Sequence, residues 1–387
     1  AVIDVDSGNF IAGSVDVGND LSLTVTDGDV TIDEVPAGND LAMAVDAGNT
    51  TITRAEAGRN LTVAANTGHI DITDSVAGHD LVINSTAGNI DLVSTVAGND
   101  LTVTAVAGDI SINYAEAGRN MTVDATVGHI TAADACAGNN LAINSTAGNI
   151  SLARATAQAG SAVVKTAAGS TDITDKLTAG TSARVEATNG ISVDAVESGD
   201  SLLLVNNNGL VNVNSARTLN AGANIEISNN SGDIRVTSAA AASDLSIQTA
   251  AGNIDLTTVT SGNDLSVAAT NGDVTIDDAS AGNDAVIGVD SGNFIANSVS
   301  SGNNLSVTLS DGDATINSSV TGNDLTVSVD AGDIAINNTE SGNDLSIVAN
   351  QGNVAIDNAA AVNDLLLRTG VGNLTVADAS VGNNAVI

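Results

Sequence analysis

Glycine recurs at every tenth position through most of this sequence. The spacing is unbroken from Gly8 to Gly148 and holds again from Gly252 to Gly382, where only Val362 replaces a glycine. The ten-residue units alternate between an A type, Gly-Asn-Asp-Leu-x-Val, and a B type, Gly-x-Ile-x-Ile. The true repeat is therefore 20 residues long, and a repeat of this length indicates an architecture of stacked units.

Apolar and polar residues alternate within each unit. Leu21, Leu23 and Val25 are separated by Ser22 and Thr24. A period of two is the signature of a strand with one buried face, and the density of glycine excludes helix. Each glycine marks a turn that needs either a positive φ or a close backbone approach. The sequence predicts an all-β chain that forms a parallel β-solenoid, or β-helix, of about 19 coils with 20 residues per coil.

The middle of the chain, 149–245, has irregular glycine spacing but keeps the alternation of A and B units. We interpret it as the same solenoid with insertions and deletions of one to three residues at the corners. We therefore predict a single continuous β-solenoid over 1–387, with regular coils in 1–148 and 246–387.

The chain is strongly acidic, with 46 Asp and Glu against 10 Lys and Arg and a formal net charge of -36. This charge argues against nucleic acid as a partner, because phosphate binding needs a basic surface. We expect no membrane insertion, since no run of about 18 apolar residues occurs. Cys136 is the single cysteine. The sequence lacks a Ser/His/Asp grouping, a phosphate-binding loop and a His/Cys cluster, so we expect no enzyme and no catalytic, cofactor or metal residues.

The third residue of the A-type unit is Asp or Asn in most coils. Stacking in register would place these side chains near 5 Å apart, where two carboxylates repel by about 1 kcal/mol even in water. We interpret the column as a ladder in which Asx side chains accept turn N–H groups. The alternative is Ca²⁺ bound between coils. The column comprises Asp20, Asp40, Asn60, Asp80, Asp100, Asn120, Asn140, Asn224, Asp244, Asp264, Asp284, Asn304, Asp324, Asp344, Asp364 and Asn384.

The remaining charged turn residues have simpler interpretations. Arg59 and Arg119 occupy equivalent turn positions three coils apart, and we expect each to pair with a neighbouring acid. His69, His79 and His129 follow turn glycines and are too far apart in sequence to suggest a metal site, so we expect solvated turn residues.

Coils of the form Gly-Asn-Asp-Leu-Thr-Val-x4-Gly-Asp-Ile-x-Ile resemble the repeats of filamentous-haemagglutinin-like secreted adhesins and related bacterial β-solenoid surface proteins. The resemblance covers essentially the whole chain. It implies an extracellular or cell-surface location and the role of an adhesin or fibre.

We therefore expect a structural component of an extracellular filament or cell-surface fibre. Its partners would be copies of itself, joined end to end or laterally, because exposed strand edges favour pairing with another chain. One alternative is an adhesin shaft that binds a cell surface or a glycan as a monomer. A further alternative is a calcium-dependent β-roll matrix or S-layer-type protein.

Overall fold

The computed structural model describes all residues from Ala1 to Ile387. The chain divides into two compact units, Ala1–Ser198 and Gly199–Ile387. Each unit is a parallel β-solenoid without helices, and the two contain about 19 coils of about 20 residues. No helix that could cross a membrane is therefore present. The predicted fold class is confirmed, whereas one continuous solenoid over 1–387 stays a prediction.

Each coil contains two strands. The A strand follows the Gly-Asn-Asp turn and carries an odd number, and the B strand carries an even number. The strands of the first unit are β1 (Val2–Val5), β2 (Phe10–Ser14), β3 (Leu21–Asp27), β4 (Val30–Ala37), β5 (Leu41–Ala47), β6 (Thr50–Ala57), β7 (Leu61–Thr67), β8 (Ile70–Ala77), β9 (Leu81–Ala87), β10 (Ile90–Ala97), β11 (Leu101–Ala107), β12 (Ile110–Ala117), β13 (Met121–Val127), β14 (Ile130–Ala137), β15 (Leu141–Ala147), β16 (Ile150–Ala157), β17 (Ala162–Thr166), β18 (Thr171–Ala179), β19 (Ala183–Ala187) and β20 (Ile191–Ser198). Those of the second unit are β21 (Leu202–Asn208), β22 (Val211–Thr218), β23 (Ile225–Ser231), β24 (Ile234–Ala241), β25 (Leu245–Ala251), β26 (Ile254–Ser261), β27 (Leu265–Asn271), β28 (Val274–Ala281), β29 (Ala285–Ser291), β30 (Phe294–Ser301), β31 (Leu305–Asp311), β32 (Ala314–Thr321), β33 (Leu325–Ala331), β34 (Ile334–Ser341), β35 (Leu345–Gln351), β36 (Val354–Ala361), β37 (Leu365–Val371), β38 (Leu374–Val381) and β39 (Ala385–Val386).

Equivalent strands of successive regular coils pair in parallel, with residues 20 apart opposite each other. In the first unit Leu21 lies opposite Leu41, and in the second unit Leu305 lies opposite Leu325. An even shift preserves the side that each residue faces. Equivalent residues therefore form columns along each unit, with apolar columns inside and polar columns outside.

The alternation of buried and exposed residues changes phase in the middle of the B strands. In β4 the residues Val30, Ile32 and Val35 are buried, and two consecutive exposed residues, Asp33 and Glu34, interrupt the alternation. The same change of phase recurs in the other regular B strands of both units. In each regular coil, therefore, the residues that point inward change phase partway along the B strand.

The core compensates locally for its largest side chain. Phe294 in β30 is fully buried. It lies opposite Ala314 of the next coil, and Ala296 and Ala285 of its own coil also point inward. Other coils mostly carry Leu or Ile at these three alanine positions. Small neighbours thus make room for the ring, as expected for an interior packed to nearly constant density.

Glycine is favoured in both turns of a coil, for two different reasons. We call the turn before an A strand the A turn and the turn before a B strand the B turn. In the B turn, Gly332 has a φ of +147°, which disfavours any other residue, and an added Cβ would collide with the carbonyl oxygen of Gly312. In the A turn, Gly322 lacks the positive φ, but its Cβ would collide with the carbonyl oxygen of Gly302. Both predicted reasons for glycine are confirmed.

The irregular coils absorb extra residues in two ways. A bulge in β18 shifts the register between Ile173 and Lys176. Longer turns precede β17 and β23, and β17 and β19 are shortened to five residues each. The insertions therefore lie partly within a strand and not only at corners.

Candidate functional site

The Asp/Asn column lies in the A turns and joins successive coils by hydrogen bonds. Asp284 Oδ1 accepts the backbone N–H of Asn304 at 3.0 Å, and Asp100 Oδ1 accepts that of Asn120 at 3.2 Å. The same bond, between 3.0 and 3.3 Å, recurs along the regular coils of both units. This geometry supports the interpretation of the column as a structural ladder.

A second donor reaches these acceptors in the second unit. The Asn that follows the glycine of the next A turn donates its Nδ2, as Asn263 does to Asp244 Oδ1 and Asn343 to Asp324 Oδ1, both at 2.7 Å. Six successive turns repeat this bond at 2.7 to 2.8 Å. The bond from Asn263 is the main cause that holds the pKa of Asp244 below its usual value. The donors thus offset the repulsion between stacked carboxylates.

Arginine replaces that asparagine in two turns of the first unit. Arg59 forms an ion pair with Asp40, and Arg119 Nη2 lies 2.5 Å from Asp100 Oδ2. The hydrogen bond from each guanidinium is the main cause that lowers the pKa of its aspartate. The predicted pairing of these arginines with neighbouring acids is confirmed. Both arginine side chains are more than half exposed, so each pair contributes little to stability.

A second ladder, which the sequence analysis missed, runs through the B turns. Asp333 Oδ1 accepts the N–H of Asn353 at 2.7 Å, and Asp313 Oδ1 accepts the N–H of Asp333 at 2.8 Å. The sequence does contain a pattern that predicts this ladder, because the residue after almost every B-type glycine is Asp, Asn or His. The column comprises Asn9, Asp29, Asn49, His69, Asn89, Asp109, His129 and Asn149 in the first unit and Asp233, Asn253, Asp273, Asn293, Asp313, Asp333, Asn353 and Asn373 in the second.

The three histidines lie in exposed turns, as expected. His129 has an additional role, since its Nδ1 accepts the backbone N–H of Asn149 at 2.9 Å. It thereby takes the place of an Asx side chain in the second ladder.

The A-turn ladder uses the Oδ1 atom of each aspartate, which a cation between coils would also need. Asp284 Oδ1 accepts three bonds, from the backbone N–H of Asn304 and from the Nδ2 groups of Asn303 and Asn304. No three His, Cys, Asp or Glu side chains are grouped so that they could hold a metal ion. The geometry favours the structural ladder, and Ca²⁺ in the A turns stays an alternative prediction.

Cys136 lies half-buried on the outer side of β14. Gln158 Nε2 lies 3.4 Å from its Sγ, and burial is the main cause that raises the pKa of the thiol. The thiolate, which is the reactive form, is therefore disfavoured at neutral pH.

An open groove of about 390 Å³ follows the outer side of β21, β23, β25 and β27 in the second unit. Amides and hydroxyls of Asn207, Ser228, Asn230, Gln248 and Thr270 line it, and Asn230 Nδ2 donates to Asn207 Oδ1 at 3.2 Å. No charged side chain is among the lining residues. The groove offers hydrogen-bond donors and acceptors but no acid–base pair for catalysis.

The sequence profile of the family described as Toastrack DUF4097 matches residues 14–135 and 210–343, about two thirds of the chain. One match lies in each compact unit. No curated protein and no solved structure matches the chain. The family match and the fold support a β-solenoid repeat protein, whereas the resemblance to filamentous-haemagglutinin-like adhesins is not confirmed.

Proposed function

This chain belongs to the Toastrack DUF4097 family and is a β-solenoid repeat protein, and from that premise we propose that it is a structural component of an extracellular filament or cell-surface fibre. In this role the stacked coils transmit load and set spacing. The chain acts on no substrate, and its main partners are further copies of itself.

One observation carries this proposal: the same contacts recur coil after coil. The two side-chain ladders, the parallel sheets and the apolar columns all repeat with the coil, in both units. A binding or catalytic protein places particular side chains at one location, whereas a repeat protein built from nearest-neighbour contacts distributes its energy evenly. Even distribution is what a load-bearing element requires.

Coil stacking supplies a means of assembly. The outermost strand of any open stack leaves one row of N–H and C=O groups unpaired, and such an edge pairs readily with another strand. A coil from a second copy would continue both ladders with the bonds already present between neighbouring coils. The net charge of -36 opposes nonspecific aggregation, so that an ordered contact is favoured over a disordered one.

Electron microscopy of the purified chain in negative stain, with and without a calcium chelator, tests the proposal. Filaments in both conditions are the expected result. Isolated particles at every concentration would contradict the structural role. Filaments that dissolve in chelator would retain the structural role but make Ca²⁺ part of the contact between coils, as in the alternative of a calcium-dependent matrix.

A second candidate function is an adhesin that binds a glycan as a monomer. The observation that favours it is the uncharged groove lined by Asn207, Asn230 and Gln248, whose amides match the hydrogen-bonding pattern of sugar hydroxyls. Binding to a glycan array by monomeric protein, lost in the variant Asn207→Ala/Asn230→Ala, would support it. Equal binding by a variant altered outside the groove, Ser306→Ala, is the control.

A further inference from the structure

Both side-chain ladders lose their Asp and Asn residues in the last two coils of the first unit. These coils comprise residues 161–198 with strands β17 to β20, and we call them the serine coils. Serine occupies the A-turn ladder position at Ser161 and Ser182. In the B turns that position holds Ser170 and then Gly190, which has no side chain that could accept a bond.

Serine does not continue the A-turn ladder. The backbone N–H of Ser161 donates to Asn140 Oδ1 at 3.0 Å, as in the regular coils. The hydroxyl of Ser161, however, donates to the same Asn140 Oδ1 at 3.3 Å and so points back to the preceding coil. Asn140 is therefore the last side-chain acceptor of the A-turn ladder in the first unit.

The strands of the serine coils are less well stabilised than those of the regular coils. β17 and β19 have five residues each, compared with seven in regular A strands such as β15. Ala162 and Ala183 fill the first inward position, where β3 to β15 carry Leu or Met, and an alanine buries less apolar surface. Leu177 on β18 offsets part of this loss. The hydroxyl of Thr171, also on β18, is buried without a hydrogen-bond partner, which is unfavourable in a core.

Ion pairs join the two serine coils where the ladders are missing. Lys165 Nζ lies 2.9 Å from Glu186 Oε2, and Lys176 Nζ lies 3.2 Å from Glu197 Oε2. The two lysine side chains are 52% and 39% exposed, so salt screens both pairs. The cohesion between these two coils therefore falls as salt is added.

We propose that the serine coils are a conformational device in the first unit: they open while the regular coils stay folded, and salt promotes the opening. Proteins open first where apolar burial and hydrogen bonding are least, and a repeat array held by nearest-neighbour contacts separates at its weakest interface. The inference does not require filament formation. If the chain forms the proposed fibre, these coils would be the first to yield under load.

Salt should act in opposite directions on the two parts of the first unit. Residues 1–148 contain 20 acidic and 3 basic side chains, so salt screens a net repulsion there. Residues 161–198 contain five acidic and three basic side chains, and Lys165, Lys176 and Arg184 all form ion pairs. Salt therefore removes attraction from the serine coils while it relieves repulsion among the regular coils.

Hydrogen exchange of the full chain, measured by mass spectrometry at low salt and at about 0.5 M NaCl, where the Debye length is roughly 4 Å, tests the inference. At low salt, amides within 161–198 should exchange about tenfold or more faster than amides within 101–138. At high salt their exchange should rise by about threefold, whereas exchange within 101–138 should stay equal or fall. Equal exchange in the two segments, or exchange within 161–198 that does not rise with salt, overturns the inference.

The variant Glu186→Gln/Glu197→Gln removes both ion pairs between the serine coils. At low salt this variant should exchange within 161–198 about as fast as the unaltered chain does at high salt. The matched variant Glu56→Gln/Glu116→Gln removes the same charge from the regular coils and should leave exchange within 161–198 unchanged. Equal acceleration by the two variants would assign the effect to net charge and overturn the inference.

Limited proteolysis with trypsin provides a second measurement on the unaltered chain. Cleavage needs a locally unfolded segment, so trypsin should cut after Lys165, Lys176 or Arg184 before it cuts after Arg59 or Arg119. The side chains of Arg59 and Arg119 are 52% and 60% exposed, compared with 52% for Lys165, so exposure alone does not predict this order. Cleavage first after Arg59 or Arg119 overturns the inference.

Discussion

The A turn and the B turn of each coil look similar in sequence, since both begin with glycine and continue with Asn or Asp. Their backbones differ. Nearly every B-turn glycine has a positive φ, such as +138° at Gly252 and +147° at Gly372, whereas among A-turn glycines only Gly222, in a lengthened turn, does. The B turn therefore restricts the residue through its own backbone and through its neighbour, and the A turn through its neighbour alone.

The natural exceptions follow this difference. Ala242 and Val362 replace glycine, and both lie in A turns. No residue other than glycine has a positive φ anywhere in the chain. At Val362 the backbone N–H reaches the carbonyl of Ser341 at 3.2 Å, compared with 3.0 Å for Gly342 and the carbonyl of Thr321. The A turn thus accepts a side chain with a small displacement, which the conformation of the B turn does not allow.

The largest expected effect is that of Gly332→Ala in a B turn. Strain from the positive φ costs of the order of 1–3 kcal/mol, and the collision with the carbonyl of Gly312 adds to it, so we expect a loss of about 3 kcal/mol in the free energy of unfolding. Urea denaturation followed by circular dichroism measures it. A loss in the free energy of unfolding no greater than that of the A-turn variant below would contradict the difference between the two turns.

Gly322→Ala is the matched A-turn variant. It lacks the strain of a positive φ and must displace only the carbonyl of Gly302, so we expect a loss of about 1 kcal/mol. Ala242→Gly is the control, because the residue it changes is already accommodated. Its expected loss of about 0.5 kcal/mol arises from the greater freedom of glycine in the unfolded chain.

Substitutions in the side-chain ladders should have the opposite order of effects: the larger loss in the free energy of unfolding is expected in the A turn. Asp284 in an A turn accepts three hydrogen bonds, whereas Asp313 in a B turn accepts one from the next coil. We expect Asp284→Ala to cost about 1–2 kcal/mol and Asp313→Ala about half as much, measured by the same denaturation. Asp284→Asn keeps the acceptor and removes a charge, so a loss near zero is expected. Equal losses for Asn and Ala would mean that charge matters more than the ladder.

Acidification from neutral pH is expected to have the smallest effect of these changes on stability. Hydrogen bonds from Arg119 and Asn263 are the main causes that lower the pKa values of Asp100 and Asp244 from the usual 3.8. A carboxylate with a lowered folded-state pKa stabilises the fold above its unfolded-state value, and this contribution is lost as the pH falls through the folded-state pKa. The melting temperature should therefore vary little between about pH 7 and 5 and fall below about pH 4.

Asp91 differs from Asp100 and Asp244, because its pKa is raised, and the same measurement of melting temperature against pH tests its effect. Burial, and secondarily the charge of Asp71, raise its pKa, so that its ionised form destabilises the fold and protonation relieves this as the pH falls through the raised value. Asp91→Asn should raise the melting temperature at pH 7, and Asp244→Asn should weaken the decline below pH 4. A decline that is unchanged in Asp244→Asn would show that the ladder does not contribute to acid unfolding.

Much of the fold could be predicted because each structural requirement recurs in every coil. The spacing of glycines and the alternation at Leu21, Leu23 and Val25 specify strands, turns and register together. The pairing of Arg59 with Asp40 could also be predicted, since equivalent positions stack. Because the repeat shows which positions are equivalent, one sequence is enough to identify the residues that stack on each other.

The remaining features depend on local geometry. The spacing of three between Ile32 and Val35 indicates the change of phase in the B strand. It is easily overlooked, because the rest of the strand alternates with a period of two. The bulge in β18 follows from one extra residue whose position the sequence leaves open.

The ladders also have a direction. Wherever a ladder bond joins two regular coils, the backbone N–H donates to the side chain of the preceding coil, as Asn304 does to Asp284. A stack of coils is therefore polar, with side-chain acceptors unfilled at one end and backbone donors unfilled at the other. Two copies joined by a two-fold axis at equivalent ends would oppose like groups, whereas head-to-tail addition matches donors to acceptors. Addition of this heterologous kind does not close on itself unless the stack curves into a ring, so growth by coil stacking yields polymers with two chemically distinct ends.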